Sequence, residues 1–222
     1  MFKDKKRSDI LEILSSLVQQ AVSHIYALTV SMGYPSYGIA IIIMTIAIKL
    51  VLYPLSAKQI ASTKAMSEMQ PKIKALQERY KDDKQTLNVK LSELYKEHGI
   101  NPLAGCLPLL VQMPIMIGIF YGIRDFQYAG PSNFLWMNSI ADPDPYFILP
   151  VLSALTTFIQ SKQTMPNTGD NPQGKIMLYF MPLFIGYISF KFPAGLVLYW
   201  VVMNICQILQ QFIMDKKKAA AN

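Results

Sequence analysis

Residues 103–123 and 194–214 each run for twenty-one positions without a charged side chain. A helix crossing the ~30 Å hydrocarbon core of a bilayer takes about 20 apolar residues, so both stretches are long enough to span one. Three further apolar runs, 37–55, 146–160 and 176–190, complete a set of five. The run 37–55 holds one charge, Lys49. The runs 146–160 and 176–190 measure only roughly 22 Å as helices, and reach across by borrowing polar flanks or thinning the bilayer. Charged residues make up 16% of the 222 residues, against about 25% in a soluble domain. This pattern excludes a disordered tail and an ordinary soluble globule. It predicts an all-α, polytopic membrane protein with five transmembrane helices.

The remaining charge is crowded between the runs, with 21 basic and 14 acidic residues for a formal +7. Basic residues favour the cytoplasmic side. Nine lie between Lys58 and Lys96, and Lys162, Lys175, Lys216, Lys217 and Lys218 bring that side to fourteen. Arg124, Lys191 and the four bases at the start (Lys3, Lys5, Lys6, Arg7) make six on the other side. The count predicts an outer N-terminus and a cytoplasmic C-terminus. The acidic loop with Asp125, Asp142 and Asp144 agrees, and the basic start does not. Cys106 and Cys206 both sit in apolar runs, which offers neither a disulfide framework nor a cysteine metal site; no cofactor or metal is expected.

Residues 1–35 hold an amphipathic helix, with Ile10, Leu14, Leu17, Ala21, Ile25 and Leu28 recurring at three or four. Asp9 and Glu12 resemble a capping pair. Such a helix lies in the membrane interface or packs on the spans. The first span is expected over 36–56. Residues 57–100 then read as a cytoplasmic antiparallel helical hairpin. Met66, Met69, Ile73, Leu76 and Tyr80 form a heptad seam. Pro71 kinks or restarts the first helix, 81–84 is the turn, and Leu87, Leu91 and Leu94 continue on the second helix. The hairpin is either a solvated spacer or a docking arm. Residues 101–222 carry spans two to five, a polar loop at 163–174 that is expected to be mobile, and a short basic tail.

The informative chemistry lies inside the spans. Thr45, Lys49 and Ser56 share one helix face, as do Ser153, Thr156, Thr157 and Gln160, and again Trp200, Asn204, Gln207 and Gln211. Gln112 sits between Pro108 and Pro114. An unpaired polar group in hydrocarbon costs several kcal/mol, so these stripes face one another or face water. Lys49 either snorkels to the inner interface or supplies the fixed charge of a polar groove open to the cytoplasm.

Several segments resemble the YidC/Oxa1/Alb3 family of membrane protein insertases: Lys49-Leu-Val-Leu-Tyr-Pro-Leu, Gln70-Pro71-Lys72-Ile73, Leu94-Tyr95-Lys96, Asn101-Pro102-Leu103-Ala104-Gly105-Cys106-Leu107-Pro108, Gln112-Met113-Pro114-Ile115 and Phe192-Pro193-Ala194-Gly195-Leu196-Val197-Leu198-Tyr199-Trp200 with Asn204. The resemblance covers residues 10–214. It implies insertion of nascent membrane proteins through a positively charged hydrophilic groove, alone or beside the Sec translocon, with no covalent chemistry. Lys49 takes the place of the groove's basic residue, commonly Arg in the family. Gln112 and Trp200 match its polar and aromatic positions, and the stripes add Thr45, Thr157 and Asn204. Met113 and Met116 match positions that contact the client helix, with Tyr199 beside them. Phe180 and Phe184 extend that greasy edge. Nascent chains and lipid are the implied partners. The ribosome and the Sec translocon are further implied partners, and the tail carries three Lys.

Other classes fit less well. No Asp or Glu lies in any span, and the two histidines, His24 and His98, lie outside the spans, so enzyme chemistry has no visible acid, base or metal site. A nucleic-acid binder lacks a stacking aromatic set. A small-molecule transporter or channel subunit remains the alternative that the polar stripes allow.

Overall fold

The computed structural model describes residues 2–99, 107–164 and 175–221, with side chains over 12–99, 112–164 and 175–216. The expectations for Asp9, the 101–106 motif with Cys106, the Pro108 side chain, the loop beyond Thr164, and Lys217 and Lys218 lie outside these residues. The chain folds as helices α1 (Phe2–Ser31), α2 (Tyr37–Val51), α3 (Tyr53–Glu68), α4 (Gln70–Arg79), α5 (Lys84–Glu97), α6 (Leu107–Arg124) and α7 (Ile148–Thr164). A π-helical turn, Ile176–Phe180, leads into α8 (Met181–Ser189), and α9 (Ala194–Ala221) closes the chain.

Most of each apolar run is helical where it is described, with Tyr146 and Phe147 lying before α7 and Phe190 after α8, but prolines divide the runs more than their composition suggests. Pro54 has no N–H to donate to the Leu50 carbonyl, so the first run breaks at Leu52 and α2 and α3 meet at 69°. Pro71 restarts the helix at α4 after Met69. Pro182 likewise cannot bond Leu178, and the preceding turn widens so that the Met181 amide bonds Ile176. By length and apolarity, Glu12–Ser31 and Ala194–Lys216 suffice to cross a bilayer alone, and α2 with α3 suffices as a bent pair. Five spans were expected, two of them from short runs; among the described residues α7 has 17 residues and Ile176–Ser189 is a shorter apolar stretch, so neither is long enough alone.

Of the two placements open to α1, the structure has it packed on the other helices. It lies along α6 and α2. Leu14 sits over Gly118, Ser15 and Val18 over Gly122, and the Tyr26 hydroxyl against Gly130. Residue numbers rise together on both helices, so α1 and α6 run in the same sense. A Cβ at Gly122 would lie 2.7 Å from Val18 Cγ1, and one at Gly118 2.9 Å from Leu14 Cβ. The Gly-x-x-x-Gly spacing gives the backbones that closeness.

Beyond Arg124 the chain folds back over the bundle. Phe134 and Met137 exchange two backbone hydrogen bonds, and Met137 and Ile140 are buried. The carbonyls of Asp142 and Ile140 accept from the Ala194 and Gly195 amides, both at 2.8 Å, and so satisfy amides that the start of α9 would leave orphaned. Tyr26 stacks on Tyr37 with ring centroids 3.7 Å apart, and the Tyr37 hydroxyl accepts from Ala129 N. Burial pushes the Tyr128 hydroxyl up to about 12, so it stays a neutral donor to the Ile123 carbonyl.

Asp144 organises this cap. It is 2% exposed and accepts from Trp136 Nε1 at 2.9 Å, Tyr146 N at 3.1 Å and Leu149 N at 2.7 Å. The sequence presents it only as one acid of an outer loop. Asp144→Ala leaves three donors without their partner, the buried Leu149 amide among them, and is expected to lower stability by about 3 kcal/mol. Thermal unfolding in detergent reads this, and an unchanged midpoint would refute the role.

Away from the bundle, α4 and α5 pack on each other, with Met69 and Ile73 buried and Leu76 and Tyr80 half-buried. Asp83 caps α5, accepting from Thr86 N at 3.0 Å and Thr86 Oγ1 at 2.6 Å. These bonds hold its carboxyl below the usual range. The cap is therefore fully formed above the ordinary carboxylate pKa, and is lost as pH falls through the lowered one.

Candidate functional site

α9 is the hub of the polar interior, packing on α2 and α7 and touching α3. Asn204, 1% exposed, donates to Thr157 Oγ1 at 3.0 Å and Thr156 Oγ1 at 3.1 Å on α7. Two turns further on, Gln211 donates to the Gln163 carbonyl at 2.8 Å and accepts from Thr164. The opposite flank faces α2 and α3. Lys49 Nζ donates to Gln207 Oε1 at 2.6 Å, and Ser56 and Gln210 bond each other at 2.8–3.0 Å. Outermost, Lys64 pairs with Asp215. That pair is partly exposed and adds little stability, but it ties the root of the α3–α5 arm to α9.

These bonds decide how the stripes are used. Most of the amides and hydroxyls are interhelical glue. Lys49 is different: it is half-buried, its ammonium turns inward, and its one hydrogen-bond partner among the described residues is a neutral amide. It neither meets a carboxylate nor stands in a fully apolar shell.

The expected site residues do not all come together. Lys49, Thr157 and Asn204 join the α9 network. Gln112 donates to the Tyr199 hydroxyl at 2.9 Å, which links α6 to α9. Tyr199 itself is 2% exposed, so it belongs to this buried link and not to an exposed edge. Thr45 is buried and its hydroxyl donates to its own helix at Ile41 O, with no hydrogen bond to another expected site residue among the described residues. Trp200 is half-buried and Met116 packs against the core. Met113, Phe180 and Phe184 are exposed, and the two Phe rings stack 5.8 Å apart.

Among the described residues, α6 packs on α1 and lightly on α9 and α3, but not along α7 or α8. The two helices bearing the exposed Met113 and the Phe pair are therefore parted. Sequence reasoning placed Gln207 in a stripe without assigning it to the site, and did not single out Gln210. The i, i+3 spacing from Gln207 to Gln210 was the available signal.

Known proteins resemble this chain over most of its length. The model of the family described as 60Kd inner membrane protein matches residues 28–221. A Fusobacterium nucleatum protein named membrane protein insertase YidC is 45% identical over 184 residues, 83% of this chain and 88% of that one. A protein of the same name from Francisella tularensis subsp. novicida is 41% identical over 214 residues, 96% of this chain. The solved structure described as an active YidC insertase with its first transmembrane domain resolved superposes with a TM-score of 0.65 at 28% identity, covering 87% of this chain. This chain spans only 38% of the Francisella protein and 45% of the solved one.

Proposed function

This chain belongs to the 60Kd inner membrane protein family, and we propose that it is a membrane protein insertase of the bacterial inner membrane. Its substrates are nascent membrane proteins. The polar part of a client enters the interior bounded by α2, α7 and α9, drawn by Lys49. The apolar part moves along the exposed Met113, Phe180 and Phe184 and leaves to lipid between α6 and α8. Burial of the client's apolar helix, about 25 cal/mol per Å², drives the reaction, and the protein lowers the barrier. The observation that carries this reading is the inward-turned cation Lys49, with no extensive packing between α6 and α8 among the described residues.

Photocrosslinking tests it. A probe at Met113 or Trp200 is expected to capture a ribosome-bound nascent membrane protein. Solute flux through liposomes without any such crosslink would favour a transporter or channel instead.

We further place α1 across the membrane, beside the crossings of α2, α6, α7, α8 and α9. Its same-sense packing on α6 supports this, as does its apolar segment Glu12–Ser31. The N-terminus then lies in the cytoplasm with the C-terminus, opposite to the expectation from loop charges. The basic start is no longer an exception: eighteen basic residues are inside, against Arg124 and Lys191 outside. In a Cys106→Ser, Cys206→Ser background, Lys5→Cys is expected to resist an impermeant maleimide in intact cells while Asn133→Cys reacts. Labelling of both would return α1 to the outer interface.

A further inference from the structure

The four amides of α9 differ in what they leave unused. Asn204 donates to two threonines, Gln210 is bonded at both its oxygen and its nitrogen, and Gln211 likewise. Gln207 uses only its oxygen, which accepts from Lys49. Among the described residues nothing accepts from its Nε2, and that nitrogen is not among the buried unpaired atoms. One face of this amide thus holds the groove's cation, and the other face is an open donor.

We propose that Gln207 is the specificity-determining partner of Lys49, and that the two together form a receptor for a carboxylate on the client. This inference rests on the insertase reading. In the empty protein the amide oxygen occupies one of the ammonium's three donors and orients it without neutralising it. A hydrogen bond from an ammonium to a carboxylate is roughly twice as strong as one between neutral groups, so a client Asp or Glu outcompetes the amide oxygen. The free Nε2–H then donates to the second carboxylate oxygen. The receptor presents a cation on α2 and a neutral donor on α9. A lone lysine would attract any negative group, whereas this pair offers two donors to the two oxygens of one carboxylate.

The choice of Gln is chemically specific. Glu at the same position would lock Lys49 in an internal ion pair and leave no cation to offer. Exchanging the two side chains between α2 and α9 would keep both donors in the same space.

The test uses the full chain reconstituted in liposomes and two clients differing only by Asp or Asn in the translocated segment. Protease protection gives the ratio of their insertion rates. The wild-type protein is expected to favour the Asp client. Gln207→Glu should cut that ratio by about tenfold, the scale of one lost charge-assisted bond. Lys49→Gln should do the same, and the exchange Lys49→Gln with Gln207→Lys should restore the ratio to within about threefold. Gln207→Met leaves Lys49 unpaired by any new acid and removes the Nε2 donor, so it should lower the ratio by about threefold or more; a Gln207 that serves only structure would leave the ratio of Gln207→Met at the wild-type value. A wild-type ratio in Gln207→Glu, or failure of the exchange to rescue Lys49→Gln, overturns the proposal and leaves the insertase reading in place. Failure of the wild-type protein to insert either client overturns the insertase reading itself.

Discussion

Lys49→Ala should slow insertion of clients with acidic translocated segments by at least about tenfold, while Lys49→Arg should insert them at least as well as the wild type. Two unit charges 4 Å apart attract by about 4 kcal/mol at an effective dielectric of 20. Part of that is offset by stripping water from the client carboxylate. About 1.4 kcal/mol surviving in the transition state is a tenfold change in rate. Arg retains the charge and adds a planar fork that grips a carboxylate bidentately, so it should serve at least as well for acidic clients. Clients without acids lose no attraction, and their dependence on Lys49 should be weak. Depletion of the native insertase, followed by complementation with each variant, separates these outcomes. Equal insertion of the acidic client by Lys49→Ala and the wild type would remove the electrostatic role. Snorkelling alone predicts that equality, because a lysine whose ammonium sits at the interface supplies nothing to the interior.

The helical, apolar character of the chain was legible because absence of charge over twenty residues has few other solutions in physics. The breaks were partly legible. Pro71 announced the start of α4, but Pro54 was absorbed into a run that looked continuous, since Leu52, Tyr53 and Leu55 are all apolar. The stripe on α9 was read as one face. At about 100° per residue, Asn204 and Gln211 lie within about 20° of each other, whereas Gln207 and Gln210 rotate about 60° and 120° away. Two neighbours therefore share what looked like one surface, α7 on one flank and α2 with α3 on the other. Which amide meets the lysine depends on the placement of α2, and no spacing within α9 carries that. The loop after α6 was opaque for a different reason. Its order comes from Asp144, which bonds residues two to eight positions away, and from two carbonyls that cap α9 across about fifty residues. The seat of α1 was legible in principle through Gly118 and Gly122, which mark close helix packing, but a small-residue pair does not say which helix approaches it.

That seat carries the second large effect. Gly122→Leu should detach α1 from α6. Even a single Cβ there would lie 2.7 Å from Val18 Cγ1, 2.9 Å from Val18 Cβ and 3.3 Å from Ser15 O. The contacts are with the β-branched root of Val18 and with backbone, which cannot swing aside as the tip of a long side chain can. In lipid no hydrophobic force pulls two helices together, so close packing is most of what holds α1 in place, and overpacking costs typically 1–3 kcal/mol. The measurement is a disulfide between Leu14→Cys and Gly118→Cys, with Cys106 and Cys206 replaced by Ser. The native Leu14 Cβ lies 2.9 Å from the site of the Gly118 Cβ, so the helices need part by less than about 1 Å to reach disulfide geometry. The bond should form readily in the parent and fall by about tenfold with Gly122→Leu. Ile13→Leu, on the exposed face of α1, should leave it unchanged. An undiminished disulfide in the Gly122→Leu protein would mean that α1 is held elsewhere, and would remove the main support for its crossing the membrane beside α6.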